Sequence, residues 1–299
     1  MRVLIIGCGY VGLSLTEQLV EAGDDVVGVR RSRAGIAAVE TAGGTGVRAD
    51  LTDPAIFEQL PEADALVFAA STGRGSVETA KAVWQEGFPT AIEQVAEHSP
   101  GLEQVIFTSS TGVYGDQGGA WVDEDTPIDP ETKKLGILAE AERRGAEIAA
   151  THGLDLTIAR FAGIYGPSRY RVESYLTKPS PPGYRNIIHR DDAAGTIAFL
   201  LTETAQPPEL LLVADNEPVH RWDFVTWLAE QVGVDPPPTQ TIEELIADDV
   251  RSAGAIRRLR SDKRIDNSRL RKLGYEFLFP TFREGYQPAI ASYKQAGTD

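Results

Sequence analysis

The sequence predicts an α/β protein: a doubly wound parallel sheet followed by a smaller, mostly helical C-terminal lobe. Three observations carry this. Strand-like and helix-like segments alternate through the first half, a glycine-rich turn joins the first strand to the first helix, and from about residue 216 the pattern becomes mostly helical. Alternating strands and helices imply right-handed crossovers and a parallel sheet covered on both faces.

The elements follow in order. RVLIIG is a short buried strand with a glycine stop. Residues 10 to 22 carry Val11, Leu15, Leu19 and Val20 at helical spacing. DDVVGVR, DALVFAA and QVIFTSS read as further strands, and LDLTIARFAGIY follows a long polar helix over residues 131 to 151. Proline clusters at 179 to 182, 207 to 208 and 236 to 238 mark loops. There is no internal repeat and no low-complexity tail.

The chain has 299 residues, enough for one large or two modest domains with a real core. No apolar run approaches the roughly 18 to 20 residues that cross a bilayer. MRVLIIGCGYVG turns glycine-rich too early for a signal peptide, so a cytoplasmic location is expected. A single cysteine, Cys8, excludes an internal disulfide and a cysteine-based metal site, and no metal is expected. The net charge of −15 argues against a nucleic-acid partner, because phosphates repel an acidic surface. Seven of the 29 basic residues are Lys, leaving 22 Arg. An acidic, Lys-poor surface fits a halophilic, salt-adapted protein; codon usage in a GC-rich genome accounts for it equally.

Gly7-Cys8-Gly9-Tyr10-Val11-Gly12 is a G-x-G-x-x-G between a predicted strand and a predicted helix, the context in which the motif binds a dinucleotide. Gly7 permits the tight turn, Gly9 lets the backbone approach a pyrophosphate, and Gly12 lets the helix pack close to the sheet. The helix N-terminus presents free N–H groups and the positive dipole end to the phosphates. This makes the fold Rossmann-type. Residues 1–167, completed by about 186–215, are expected to form the dinucleotide-binding domain. Residues 168–185 and 216–299 are expected to form the smaller substrate-binding lobe.

The end of the second strand bears on the cofactor. A carboxylate there would bind the ribose 2′-hydroxyl of NAD, but Arg30, Arg31 and Ser32 stand in its place. A guanidinium suits a 2′-phosphate, so NADP(H) is favoured, with NAD(H) as the alternative. Asp50, with Leu51 beside it, is positioned to accept from an adenine amino group. An N-cap for a helix after Asp53-Pro54 would fall to Asp53. Ala69, Ala70 and Ser71 end the fourth strand and leave room for a ribose.

Together, GCGYVG, ADLTD, VIFTSSTGVYG, RFAGIYGP, NIIHRDDAA, ADNEPVHRWDF and KRIDNSRLRKLGYEF resemble the extended short-chain dehydrogenase/reductase (NAD-dependent epimerase/dehydratase) family across nearly the whole chain. They are most similar to its atypical members. The resemblance implies a Ser that orients a substrate hydroxyl or carbonyl, and Ser110 matches it. It also implies a Tyr proton donor four residues before a Lys, and this pair is absent: no tyrosine lies between Tyr114 and Tyr165. Lys133, Lys134 and Gly136 lie near the expected place. Lysines at a helix start are usually solvated.

Tyr114, in VYG, and His189, in IIHRDD, are candidate proton donors, His189 because an imidazole titrates near neutral pH. The family's Tyr at position 114 is usually structural, and His189 can instead fix its loop by bonding the backbone. Tyr165 reads as a packing residue. Arg169 and Tyr170, after the Gly166-Pro167 turn, point by analogy to a substrate cleft, where an Arg suits a carboxylate or phosphate. The loop RYRVESYLTKPSPPGYRN is long enough to be a lid, and Asp116 and Trp121 lie in a second loop of the same kind.

These residues imply an NADP(H)-binding oxidoreductase or epimerase-like enzyme acting on a carbonyl or hydroxyl carbon of a small-molecule substrate, a sugar or sugar nucleotide among the options. The rival is a non-catalytic NADP(H)-binding redox sensor or scaffold. The family often forms homodimers through its long helices. Here Glu140, Glu142, Arg143, Arg144 and Glu147 on residues 131 to 151 read as a solvated face.

Overall fold

The computed structural model describes residues 1–53, 56, 60–73, 75–249 and 252–296. Pro54, and with it the helix that Asp53 would cap, lies outside them. The chain opens β1 (Arg2–Ile6), α1 (Tyr10–Glu21), β2 (Asp25–Arg30), α2 (Arg33–Thr41), β3 (Thr45–Arg48) and β4 (Ala65–Phe68). It continues with α3 (Val77–Ala80), a π-helical segment Lys81–Glu86, α4 (Gly87–His98) and β5 (Gln104–Ser110). A 3₁₀ turn (Thr111–Tyr114), β6 (Trp121–Val122), α5 (Lys133–Thr151) and β7 (Asp155–Phe161) follow. Then come β8 (Gly163–Tyr165), α6 (Val172–Thr177), β9 (Tyr184–Arg185), β10 (Ile187–His189), α7 (Arg190–Thr202) and β11 (Leu210–Val213). The rest comprises β12 (Val219–His220), α8 (Arg221–Val232), α9 (Ile242–Ala247), α10 (Ala253–Arg260), β13 (Arg264–Ile265), α11 (Ser268–Lys272), α12 (Phe282–Gly285) and α13 (Gln287–Ala296).

Seven strands form one sheet in the order β11-β7-β5-β4-β1-β2-β3. It is parallel: Ile5 of β1 lies opposite Gly28 of β2 and Val67 of β4, and Ile106 of β5 opposite Thr157 of β7. At the outer edge, Ile158 N donates to Glu209 O and Ala162 N to Val213 O, so β11 advances in the same direction as β7. A sheet covered on both faces needs unbroken apolar strands, which is why ALVF of β4 is buried at every position. Phe68, Phe88 and Phe107 stack across the strand–helix layer with centroids 4.1–5.9 Å apart. Each such fully buried side chain contributes about 1.5–3 kcal/mol.

The chain divides into two compact units. The first is residues 1–113, 130–161 and 193–211, which hold the main sheet; the second is 114–129, 162–192 and 212–299. Segment 114–129 goes with the second unit, although it lies inside the stretch that the sequence assigns to the nucleotide-binding domain. The second unit has its own core, with Phe224, Leu228, Phe282 and Tyr286 fully buried. It is helical, but it also contains three two-stranded pieces: β8 with β10, β9 with β12, and β6 with β13. No helix among the described residues is long and apolar enough to cross a membrane.

Candidate functional site

In the first unit the strand order reverses between β1 and β4, and the cofactor residues expected from the sequence gather at the carboxyl ends of the strands around that point. Gly7 has φ +83°, and a Cβ there would lie 2.4 Å from Ala70 Cα, so only glycine fits. The turn is tight enough for Gly9 N to donate to Gly7 O at 2.6 Å. A Cβ on Gly12 would sit 3.2 Å from Ile5 Cγ2, which is the close helix–sheet contact expected of the third glycine. Tyr10 and Val11 open α1, whose N-cap Gly9 has no side chain to occupy the first-turn N–H groups. The residues present therefore fit a dinucleotide: a bare helix N-terminus behind a glycine turn is an anion site.

Arg30 ends β2 and reaches back over this turn, donating from Nη1 to Cys8 O at 3.0 Å. A Cβ on Gly9 would lie 2.7 Å from that same nitrogen. Arg31 is exposed, and Ser32 caps α2 by accepting from Gly35 N. Asp50 Oδ1 accepts from Thr52 N and Thr52 Oγ1, and these bonds hold its carboxyl below the usual carboxylate range. Leu51 beside it is half-buried. Ala69 N continues the ladder to Ile6 O, and Ala70 O accepts from Trp84 Nε1 of the π segment at 2.8 Å. Ser71 is exposed and accepts from Gly73 N. Cys8 is buried, which raises its thiol pKa and makes it a packing residue.

Ser110 is the last residue of β5, and its Oγ accepts from Gly112 N at 3.1 Å, leaving its hydrogen free to donate. The preceding Ser109 is buried and donates to Glu142 of α5, whose carboxylate also receives Arg160 Nη2 at 2.6 Å. This triad corrects one expectation: Glu142 is 3% exposed and faces the sheet, while Glu140, Arg143 and Glu147 form exposed ion pairs. The sequence signal was present. Glu142 shares a helical stripe with Leu138, Gly145 and Ala149.

The other candidates lie in the second unit. Tyr114 is fully buried, and its carbonyl accepts from Gln117 Nε2. His189 is buried, packed 4.0 Å from the Phe279 ring centroid and edge-on to Tyr165. Burial pushes its pKa down to about 4, the nearby Asp191 only partly opposing this. Asp191 N donates to His189 Nδ1, so Nε2 carries the proton and faces Tyr170 Oη at 3.3 Å. Arg169 is exposed, while Ser168 and Arg171 both take left-handed backbone (φ 64° and 56°). Tyr165 stacks on Tyr286, and burial raises its phenol pKa. Asp116 Oδ1 accepts from Asp262 N and Gly118 N, and Trp121 is exposed with Arg264 over its ring. The structure thus joins Tyr170 to His189 and groups Ser110 with the glycine turn at the carboxyl ends of the sheet.

A parallel sheet of this order with a glycine turn at its switch point defines a dinucleotide-binding protein. The family model described as NAD(P)H-binding matches residues 7–204. A Methylobacillus flagellatus protein described as an NAD-dependent epimerase/dehydratase is 31% identical, with 98% of each chain superimposed at a TM-score of 0.79. Protein YeeZ of Escherichia coli (strain K12) is 29% identical over 289 residues, covering 93% of this chain and 96% of that protein. The UDP-glucose 4-epimerase of Thermotoga maritima, 19% identical, shares the fold at a TM-score of 0.78 over 99% of each chain. The chain belongs to the NAD(P)H-binding proteins of the NAD-dependent epimerase/dehydratase, or extended short-chain dehydrogenase/reductase, family.

Proposed function

We propose that this protein is an NADP(H)-dependent oxidoreductase or epimerase-like enzyme acting on a carbonyl or hydroxyl carbon, with a sugar or sugar nucleotide as the substrate class. The observation that carries it is Ser110, which ends β5 in the same unit as the glycine turn and has a hydroxyl hydrogen free to donate. The UDP-glucose 4-epimerase of Streptomyces lividans, 26% identical over 54% of this chain, supports the sugar class. When bound, the nicotinamide supplies or accepts a hydride. Gly7, Gly9 and the first turn of α1 hold the pyrophosphate, Asp50 and Leu51 the adenine, and Ser110 the substrate oxygen. The preference for NADP(H) rests on Arg30, Arg31 and Ser32, where no carboxylate stands to meet a ribose 2′-hydroxyl.

A second reading, a non-catalytic NADP(H)-binding sensor or scaffold, draws on the missing Tyr/Lys pair and on the neutral, enclosed His189. One titration bears on both. Energy transfer from Trp to reduced nicotinamide should report tighter binding of NADPH than of NADH, and Arg31→Ala should narrow the gap by about tenfold, near 1.4 kcal/mol. Equal or reversed preference in the native protein would exclude the role given to Arg30 and Arg31. Oxidation of NADPH by any carbonyl compound would exclude the second reading.

A further inference from the structure

Three phenol or imidazole groups near the motifs are poor proton donors. Tyr114 is fully enclosed, His189 is neutral at pH 7, and burial raises the Tyr165 phenol pKa. The first unit offers another group. Successive residues of an α-helix are 100° apart, so Leu138, Ala141 and Gly145 of α5 all lie within about 40° of Lys134. All three are buried, and the arc continues to Glu142, which is tied to Ser109 on β5 and Arg160 on β7. Lys134 is therefore the first residue of the buried stripe, which meets Phe88 of α4 at Gly145 and β5 and β7 at Glu142, whereas Lys133 lies about 100° away. Exposure agrees: Lys134 is half-buried and Lys133 exposed.

The start of α5 is also fixed beside Ser110. A Cβ on Gly112 would lie 3.2 Å from Leu135 Cδ2 and 3.2 Å from Ser110 Oγ, so Leu135 and Ser110 flank one point. The ammonium of Lys134 has no hydrogen bond or ion pair among the described residues. A cation in the first turn also stands at the unfavourable end of the helix dipole. A local preference broken without a compensating contact is the pattern of a functional position.

We propose that Lys134 is the catalytic cation of this chain and, with Ser110, does the work of the missing Tyr/Lys pair. This rests on the reading of the protein as an NAD(P)H-dependent enzyme. In the reductive direction the nicotinamide, when bound, would supply the hydride to the carbonyl carbon and be oxidised in doing so. The C=O π pair moves to the oxygen that Ser110 holds, and that oxygen takes a proton from Lys134 Nζ. Solvent reprotonates the resulting amine.

The test is trace acetylation with acetic anhydride, mapped by mass spectrometry with and without saturating NADPH. Acetylation of Lys134 should fall several-fold when NADPH is bound, and acetylation of Lys133 should not change. Unchanged labelling of Lys134, with NADPH binding confirmed by fluorescence, would overturn the proposal and leave the cofactor reading standing. Binding of neither NADPH nor NADH would overturn both. Against any carbonyl compound the native protein reduces, Lys134→Met should lower kcat by about 10²–10⁴-fold with NADPH affinity unchanged, and Lys133→Met should not. Lys134→Arg should stay as slow, because a guanidinium does not give up its proton. Full activity of Lys134→Arg would rule out proton transfer from this residue.

Discussion

The two units satisfy their buried polar groups in opposite ways. In the first, strands of four to seven residues pair their own backbones in one sheet, and among the described residues the ion pair with both side chains buried is Arg160–Glu142, to which Ser109 also donates. In the second, the strands are two or three residues long, and side chains replace the missing ladders. Asp192 accepts from Leu278 N and Phe279 N, Lys263 Nζ donates to Gly115 O at 2.7 Å, and Asn267 Nδ2 donates to Ala214 O and Asp215 O. Asn186 bridges in both senses, donating to Lys263 O and accepting from Ile265 N. Irregular backbone can be buried only where something satisfies it, and here that something is charge and amide. The regular unit can therefore build a generic nucleotide site. The irregular one depends on a specific set of buried polar residues.

From that contrast, the largest loss expected in the first unit comes from the buried Ser109–Glu142–Arg160 cluster. Glu142→Ala removes the carboxylate that receives two bonds from the buried Arg160 guanidinium and should cost about 3–5 kcal/mol. Replacing both partners together, Glu142→Leu with Arg160→Met, should restore most of it, because a matched apolar pair removes the stranded charge. Urea unfolding midpoints give both values. A single substitution that costs less than about 1 kcal/mol would show the cluster to be solvated, and the contrast between the units would fail.

The second unit should instead be sensitive to acid. His189 titrates near 6.5 when unfolded and near 4 when folded, so the unfolded chain binds the proton first as pH falls. Stability from this residue is complete above pH 6.5 and is lost between 6.5 and 4, by at most about 3 kcal/mol. Asp192 and Asp215 work in the other sense, since burial raises both carboxyls and favours folding at lower pH. The imidazole resonances separate the contributions: a His189 midpoint above pH 6 would exclude the buried, neutral state.

The contrast also explains what could be read from the chain. The glycine turn, the strand ends and Ser110 lie within short local patterns, because a parallel sheet imposes one environment on each continuous run. The second unit is assembled from distant pieces: Trp121–Val122 pairs with Arg264–Ile265, and Ser261 Oγ donates to Gly115 O. No window of sequence contains both partners, so segment 114–129 reads as part of the first domain. Glu142 was obscured for a different reason. Its charged neighbours Glu140, Arg143, Arg144 and Glu147 outweigh the apolar stripe that it shares.

The same helix supplies the smallest effect and the sharpest control. Arg143 sits one residue from Glu142 and bonds Glu140 and Glu147, three and four positions away, as two exposed ion pairs. Holding long side chains in water costs entropy that offsets most of the Coulomb gain, so Arg143→Ala should cost about 0.3–1 kcal/mol. Molar KCl should reduce even that, because exposed pairs are screened, and it should leave the cost of Glu142→Ala nearly untouched. Adjacent charged residues of opposite sign would then differ severalfold in effect, because a rotation of 100° turns one to the sheet and the other to solvent. Equal costs at both positions would mean that Glu142 is not turned to β5 and β7, and the placing of Lys134 on the buried stripe would fail with it.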